Sequence, residues 1–171
     1  MYKKNNMYKN RRNMMDMHKD MRYEMNPEKM EHLIERIYLS IEEELRAAAY
    51  YRALAEIAPN QFAEEMILGF AKDEREHAYQ LQQAYEKLTG EEYDYCIEEY
   101  EFELEAVDYE EYLEKRILEE TADYKKYKDY YLMTNNPYLR DIFFNLMHDE
   151  NYHAVREFYL LHMSRVGMMH V

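Results

Sequence analysis

Two Glu-x-x-His motifs occupy equivalent positions in the two halves of the chain. They are Glu74 with His77 and Glu150 with His153, offset by 76 residues in a sequence of 171. Each motif follows another glutamate by 30 residues, and these two glutamates are Glu44 and Glu120. Four carboxylates and two imidazoles in a two-fold repeat are the donors that a two-metal site in a four-helix bundle requires. The repeat therefore predicts a dinuclear metal site.

The positions of the turns agree with this prediction. Pro59 and Asn135 mark two breaks in the helical pattern, and each lies 15 residues from a repeated glutamate on either side. At about 1.5 Å of rise per residue, each glutamate lies roughly 22 Å from its turn. In two antiparallel hairpins the glutamates would then lie at one level. Residues i and i+3 share a helix face, so each histidine can reach the same point as its glutamate.

Composition favours helices and excludes several kinds of protein. The chain has three Gly and three Pro, whereas strong helix formers are common. A single cysteine, Cys96, excludes a disulfide framework and a cysteine-based zinc or iron–sulfur site within one chain. No apolar run approaches transmembrane length, and the N-terminus lacks the apolar core of a signal peptide. We therefore expect a cytoplasmic protein without a membrane partner.

The net charge of −14 is unevenly distributed. Residues 1–25 contain seven Lys or Arg and three acidic residues, which gives this segment a charge of about +4. The acidic remainder would repel phosphates, so the sequence argues against nucleic-acid binding. Residues 1–25 are rich in Met, Asn and Lys without helical periodicity, which predicts a disordered tail.

The remaining residues, 26–166, are predicted to form an all-α domain. Asn26-Pro27 and Asn136-Pro137 are typical helix starts, and Thr89-Gly90 is a typical helix end. The pattern predicts helices over 27–58, 60–89, 106–134 and 137–165. On the third helix the predicted core-facing residues are Leu113, Ile117, Glu120, Tyr124, Tyr127 and Tyr131. The acidic stretch 91–105 separates two short-looped hairpins, so the sequence predicts an antiparallel four-helix bundle with one long crossover, which is the ferritin-like arrangement.

In all four predicted helices a glutamate occupies a core-facing position that packing alone would give to an apolar residue. A buried, unpaired carboxylate costs several kcal/mol, so four of them at one level require a compensating cation. Metal ions would supply that positive charge.

With these motifs, residues 28–165 resemble the rubrerythrin-type di-iron carboxylate proteins of the ferritin-like superfamily. The resemblance implies that Glu74 and Glu150 bridge two metals and that Glu44 and Glu120 are terminal ligands, with one ligand each from His77 and His153. Oxygen and imidazole donors suit iron, which we expect first, or manganese, and they do not exclude zinc.

Other residues are assigned around the ligands by the same resemblance. Asp73 would hydrogen-bond His153, and Asp149 would hydrogen-bond His77, each fixing a tautomer; solvated helix acids are the alternative. Asp123, three residues after Glu120, would be a seventh ligand or else a surface acid. Two tyrosines lie seven residues after the terminal glutamates and would contact ligands, lie on an electron path or simply pack in the core; they are Tyr51 and Tyr127.

The sequence departs from relatives in two ways. Rubrerythrins commonly carry a rubredoxin-like module with paired CxxC motifs, which is missing here, so an external electron donor is expected. The stretch after Ser164 is too short for the fifth helix of storage ferritins, which argues against iron storage in a shell. Relatives often dimerise through helix faces, so a homodimer is an open alternative.

Three functions remain open from the sequence. The first is a redox enzyme whose dinuclear site reacts with hydrogen peroxide or oxygen as a peroxidase, a ferroxidase or a manganese catalase, in protection against oxidative stress. The second is a non-enzymatic module that binds iron or manganese. The third is a structural, coat-type protein, suggested by 20 tyrosines and 14 methionines.

Overall fold

The computed structural model describes residues 26–93 and 100–168. The predicted basic tail, residues 1–25, lies outside the described residues. The described part of the chain forms four long helices, which are α1 (Pro27–Glu56), α2 (Gln61–Thr89), α3 (Tyr109–Met133) and α4 (Pro137–Arg165). A short 3-10 helix, Ala106–Asp108, precedes α3.

Asparagine side chains cap three of these helices at their N-termini. Asn26 accepts a hydrogen bond from the Glu28 amide, Asn60 from the Ala63 amide, and Asn136 from the amides of Tyr138 and Leu139. Such caps satisfy amides that have no partner within the helix. Gly90 ends α2 in the left-handed conformation at φ 71°, where a residue without Cβ is favoured.

The helix ends differ slightly from those predicted. Helix α1 ends at Glu56 rather than residue 58, because Pro59 disfavours the helical conformation in the residue before it. Helix α2 begins at Gln61, since Asn60 has extended backbone and acts as the cap. Residues 106–108 form the 3-10 turn, so α3 itself begins three residues later than predicted.

The helices form two hairpins in a four-helix bundle, as the sequence predicted. Helix α1 packs against α2 and α3 against α4, while α1 also contacts α3 and α2 contacts α4. Ser40 lies beside Tyr130 and Tyr51 beside Glu120, so α1 and α3 run antiparallel. Helices α2 and α3 are therefore parallel, and the connection between them must return along the bundle.

The described residues on either side of 94–99 contact α1. The Tyr93 ring lies 4.8 Å from the Tyr38 ring between centroids. Further along, the Tyr100 hydroxyl donates to Glu42 at 3.0 Å. Phe102 packs edge-on against Tyr50 with centroids 5.3 Å apart. The described ends of this connection therefore lie against α1, and the later residues contact α1 nearer its C-terminus.

Two apolar clusters fill the core at different levels of the bundle. One contains Leu33, Ile37, Ile41, Leu81 and Phe143, and the other contains Leu54, Ile67, Phe70, Leu113 and Leu160. The glutamates and histidines of the repeated pattern lie between these clusters in sequence on every helix. A polar layer is thus enclosed by apolar layers above and below.

The buried face of α3 differs from the predicted one. Ile117, Tyr124 and Tyr131 are only partly buried, whereas Arg116 and Tyr130 are buried. Arg116 can be buried because its guanidinium contacts buried acidic and phenolic side chains, a pairing that hydrophobic periodicity does not reveal.

Candidate metal centre

The six side chains of the repeated pattern converge in the middle of the bundle. Helix α1 contributes one glutamate, α3 contributes another, and α2 and α4 each contribute a Glu-x-x-His pair. All six are at most 3 % exposed; they are Glu44, Glu74, His77, Glu120, Glu150 and His153. Equal spacing from the turns places them at one level, as antiparallel hairpins require.

The donors form two overlapping groups. One contains Glu44, Glu74, His77 and Glu150, and its donor atoms lie within 4.8 Å of one another. The other contains Glu120, His153 and the same two glutamates, Glu74 and Glu150. Its donor atoms also lie within 4.8 Å of one another. The two shared carboxylates belong to the Glu-x-x-His motifs, so they lie where bridging ligands are expected.

The two imidazoles have matching orientations. His77 Nδ1 lies 3.3 Å from carboxylate oxygens of Glu74 and Glu150, and His153 Nδ1 lies 3.2 Å from Glu74 Oε1. The opposite nitrogen of each ring faces the aspartate of the other motif. His77 Nε2 lies 3.3 Å from Asp149 Oδ2, and His153 Nε2 lies 3.3 Å from the corresponding oxygen of Asp73. These are the pairs that the sequence resemblance implied.

Several donor atoms at the centre make no hydrogen bond. They are Glu74 Oε1, Glu120 Oε2, Glu150 Oε1 and His153 Nδ1, all of which are buried; their contacts are ion pairs, in which each of the three oxygens lies 3.2–3.5 Å from an imidazole Nδ1. Buried polar atoms are normally paired, and leaving one unpaired costs about 1–3 kcal/mol. Two divalent ions between the shared glutamates would satisfy these atoms and offset the four carboxylates. The residues present therefore fit a dinuclear metal site.

A comparison with protein-family models matches residues 35–160 to the rubrerythrin family. The chain belongs to the rubrerythrin family. No curated protein and no solved structure shows significant similarity to it. The match covers all six candidate ligands together with α2, α3 and most of α1 and α4. Among the described residues of this rubrerythrin-family chain, every helix is too short or too polar to cross a membrane.

One side of the centre is bordered by Lys126 of α3. Its ammonium lies 2.7 Å from Asp123, 3.0 Å from Glu43 and 3.5 Å from the candidate ligand Glu44. Asp123 belongs to neither donor group and is about one-third exposed at its side chain. Burial raises the pKa of Asp123 to about 6, although Lys126 opposes the shift. In this arrangement Asp123 pairs with the lysine, and its role as a seventh ligand stays a prediction.

The other side of the centre is bordered by Arg116, Tyr51 and Glu157. Arg116 donates to the candidate ligand Glu120 and, at 3.2 Å, to the Tyr51 oxygen. The Tyr51 oxygen also lies 2.5 Å from Glu120 and 2.7 Å from Glu157. Tyr51 thus contacts the ligand of the opposite half rather than Glu44, seven residues before it. Tyr127 likewise contacts the ligand of the opposite half, because its hydroxyl donates to Glu44.

The contacts of Tyr51 require an additional proton. A phenol has one hydroxyl proton, so it can donate to only one of two carboxylates. Burial would raise the pKa of Glu120, but Arg116 and His153 hold it at about 2. Burial and the nearby Glu120 raise the pKa of Glu157 well above its usual value. Glu157 is therefore the protonated partner: it donates to Tyr51, and Tyr51 donates to Glu120.

The protonation preferences within the donor set are uneven. Burial and three neighbouring glutamates raise the pKa of Glu150 well above its usual value. Burial acts in the same direction on Glu74, but contacts with His153 and His77 lower its pKa to about 2. Burial opposes protonation of His77 and His153, yet the surrounding carboxylates raise both pKa values. Positive charge is therefore strongly favoured between these carboxylates, which is also what a cation site needs.

Sequence reasoning missed Arg116, Lys126 and Glu157. Each was visible as a charged residue one or two turns from a candidate ligand on the same helix. Arg116 precedes Glu120 by four residues, and Glu157 follows His153 by four. They escaped notice because the 76-residue repeat gives them no charged counterparts. The equivalents of Arg116, Lys126 and Glu157 in the first half are Ser40, Tyr50 and Leu81.

A groove of about 930 Å³ leads from the surface to the centre between α1 and α3. Its inner end includes Glu44, Asp123 and Lys126, and its walls include Tyr50 and Phe102. The groove lining thus includes both cations that border the centre, Lys126 and Arg116, and one candidate ligand, Glu44. Glu157 is fully buried and does not line the groove; it contacts Tyr51, whose oxygen accepts from Arg116.

Proposed function

We propose that this rubrerythrin-family chain is a dinuclear-metal redox protein that reacts with hydrogen peroxide or oxygen. Iron is the first candidate for the metal and manganese the second. The observation that carries the proposal is the pair of four-residue donor groups sharing Glu74 and Glu150. Peroxidase- or ferroxidase-like chemistry fits these donors, and manganese-catalase chemistry would use the same ligands. Protection against oxidative stress is the outcome that we infer.

Peroxide reduction at this centre needs electrons, protons and a route of access. Reduction of hydrogen peroxide to two waters consumes two electrons and two protons. The bound metal pair would supply the electrons and would be reduced again by an external donor. The groove beside Lys126 gives a small oxidant access to the centre from the Glu44 side.

Glu157 is suited to supply protons from the opposite side. Its carboxyl donates to Tyr51, whose own proton is directed at Glu120 Oε1, 2.5 Å away. A shift of both protons would transfer a proton to the candidate ligand Glu120 without admitting water. Arg116 holds Tyr51 and Glu120 in place and favours the ionised form of Glu120 until the proton arrives.

The metal content of the protein tests this proposal first. We expect about two iron or manganese ions per chain by mass spectrometry, and near-complete loss of both in Glu74→Ala, Glu150→Ala. A matched control is Glu56→Ala, Glu76→Ala, which removes two exposed glutamates and should keep the metals. Wild-type protein that stays empty after anaerobic loading with either ion would overturn the proposal.

Turnover then separates an enzyme from a metal-binding module. Loaded protein supplied with a reductant should consume many equivalents of peroxide per chain, and oxygen should be tested in parallel. Consumption that stops after one equivalent per metal pair would support the non-enzymatic module instead. Release of oxygen from peroxide without a reductant would indicate catalase-like chemistry.

A further inference from the structure

A hollow of about 530 Å³ lies on the first hairpin and shares no lining residue with the groove. One residue from α1 and five from α2 line it; they are Arg52, Leu68, Ala71, Lys72, Arg75 and Glu76. Three of these six residues are cations, in a chain whose net charge is −14. No candidate metal ligand lines the hollow, so it is separate from the metal centre.

The five residues from α2 follow one another in steps of one and three, which places them on one face of the helix. Ala71 is buried and Leu68 is 43 % exposed, so these two side chains supply an apolar floor. Lys72 and Arg75 lie on the same face and are exposed, and Arg52 of α1 adds the third cation. The hollow thus combines an apolar floor with three positive charges.

Within the described part of the chain, the three cations of the hollow make no ion pair, hydrogen bond or aromatic contact. Acidic side chains are nevertheless close in sequence, because Glu56 follows Arg52 by four residues and Glu76 follows Lys72 by four. A cation that precedes an acid by four residues forms the weaker of the two possible helix pairs. Glu76 instead accepts a hydrogen bond from Gln80 at 3.3 Å. The positive charges of the hollow are therefore left for a ligand.

The second hairpin shows that the fold does not need these charges. The 76-residue repeat places His148 and Asn151 at the positions of Lys72 and Arg75. Helices α3 and α4 nevertheless pack against each other as α1 and α2 do. Neighbouring like charges repel each other, so an unpaired cluster adds a cost that packing does not require. A bound anion would offset that cost.

We propose that this hollow is a binding site for a small organic anion that carries two phosphate groups. Such a diphosphate ester has about three negative charges at neutral pH, which equals the number of cations in the hollow. Arginine guanidinium groups bind phosphate oxygens through two parallel hydrogen bonds, and lysine adds a compact point charge. The organic part of the ligand would pack on Leu68 and Ala71.

The size of the hollow favours an organic phosphate over inorganic phosphate. Pockets that hold small molecules have volumes of roughly 300–1,000 Å³, and the hollow falls within this range. A single phosphate ion would fill only a small part of it and would leave the apolar floor uncovered. A molecule of the size of a nucleoside diphosphate would reach both the cations and the floor.

The acidic character of the whole chain does not prevent binding of such an anion. At physiological ionic strength the Debye length is about 8 Å, so charges farther away than this are largely screened. Glu76 is the one acidic residue that lines the hollow, against three cations. The local attraction therefore outweighs the distant repulsion, and affinity should fall as salt is added.

Isothermal titration calorimetry on the full chain, with adenosine diphosphate as the probe, tests the site. We expect saturable binding of one molecule per chain, with similar affinity in metal-loaded and metal-free protein. Inorganic pyrophosphate should bind at least tenfold more weakly, because it lacks a part that can cover the floor. Since the site holds no metal ligand, failure here is separate from failure of the proposed function.

Variants of the cations locate the binding. Arg75→Gln and Lys72→Gln should each weaken adenosine diphosphate binding by about tenfold, since each removes a charge-assisted hydrogen bond. Arg75→Lys keeps the charge without the two-pronged geometry, so it should restore part of the affinity. The matched control is Lys128→Gln on α3, which removes an exposed cation at the repeat position of Arg52 and should leave binding unchanged. All these side chains are exposed, so the melting temperature should stay that of the wild type.

Two results would overturn the proposal. The first is binding of adenosine diphosphate that Arg75→Gln and Lys72→Gln leave unchanged, which would place the anion elsewhere on the molecule. The second is the absence of saturable binding by the wild-type chain. Binding of poly-L-glutamate in that case, lost in the same two variants, would assign the hollow to an acidic protein instead.

Discussion

The half of the centre around Glu44 and the half around Glu120 hold the same kinds of donor but have different neighbours. Glu44 is contacted by Tyr127 and Lys126, and the lysine side chain is 17 % exposed beside the groove. Glu120 is contacted by Tyr51 and Arg116, and the guanidinium side chain is 7 % exposed. Glu157 extends the second half into the core, whereas the equivalent position in the first half is Leu81.

The difference shows where the repeat ends. The candidate ligands and the aspartates behind the histidines obey the 76-residue offset, whereas the cations beside the ligands do not. A shared pair of metals requires matched donors but does not require matched surroundings. The two candidate metal positions are therefore expected to differ in solvent access and in proton supply.

Removing the cation on each side should give the largest difference in folding stability between the two halves. Arg116→Met leaves Glu120 without its buried ion-pair partner, and such a loss costs about 3–5 kcal/mol. Lys126→Met affects a more exposed group, for which we expect about 1 kcal/mol. Urea unfolding of metal-free protein at pH 8 measures both, with Lys115→Met as an exposed control. Equal losses for the two variants would show that the halves do not differ in burial.

The pH dependence of metal binding tests whether the halves match at their histidines. Surrounding carboxylates raise the pKa of His77 and His153, so both imidazoles are protonated in metal-free protein at neutral pH. Each must lose its proton to bind metal, so affinity should rise about tenfold per pH unit for each proton released. The two imidazole protons alone predict about 100-fold per unit between pH 6 and 7, and Glu150, whose pKa is also raised, adds up to one further proton; chelator competition measures the slope. A slope of one proton would mean that only one half binds metal through its imidazole.

The stability of the metal-free protein should change with pH in the opposite direction to metal affinity, falling as pH rises. A raised histidine pKa stabilises the fold fully below the unfolded value of 6.5, and this contribution is lost as pH rises through the folded pKa. The raised pKa of Glu150 acts in the same direction above its usual value of 4.5. Metal-free protein should therefore unfold at lower urea concentration at pH 8.5 than at pH 6.5, whereas loaded protein should gain stability.

Glu157 gives a test that concerns the Glu120 half alone. Glu157→Gln keeps a hydrogen-bond donor for Tyr51 but cannot release a proton, so metal content should stay at the wild-type level. Loss of a positioned proton donor costs about 100-fold at the low end of the usual range, and we expect such a fall in peroxide turnover. The pH profile should also lose the ionisation assigned to Glu157. An unchanged rate and profile would show that Glu157 only fills space.

The fold and the donor set were accessible from sequence because they depend on regular spacing. Intervals of 15 and 30 residues fix the level of each glutamate, and the i, i+3 rule fixes its face. The family match and the two hairpins confirm the predicted fold, while assignment of the six donors as metal ligands stays a prediction. The surroundings were not accessible, because burial of Arg116 and Glu157 depends on contacts between α1, α3 and α4. Helix periodicity within one segment contains no information about such contacts.

The smallest predicted effect concerns the aspartates, where the two halves are alike. Asp149 contacts His77 Nε2 and Asp73 contacts His153 Nε2, both at 3.3 Å. Replacing such a partner weakens metal binding by about tenfold at the low end of the usual range. Asp149→Asn and Asp73→Asn should therefore lower affinity by similar factors, measured by chelator competition at one pH.

Similar losses would show that the symmetry of the centre extends one layer beyond the candidate ligands. A suitable control is Asp141→Asn, since this aspartate lies on the same helix as Asp149 but two turns from it. A large loss of metal affinity for one aspartate variant and none for the other would show that the symmetry of the centre ends at the candidate ligands. The asymmetry imposed by Arg116 and Lys126 would then act on the histidines themselves, and each imidazole would have to be considered with its own cation.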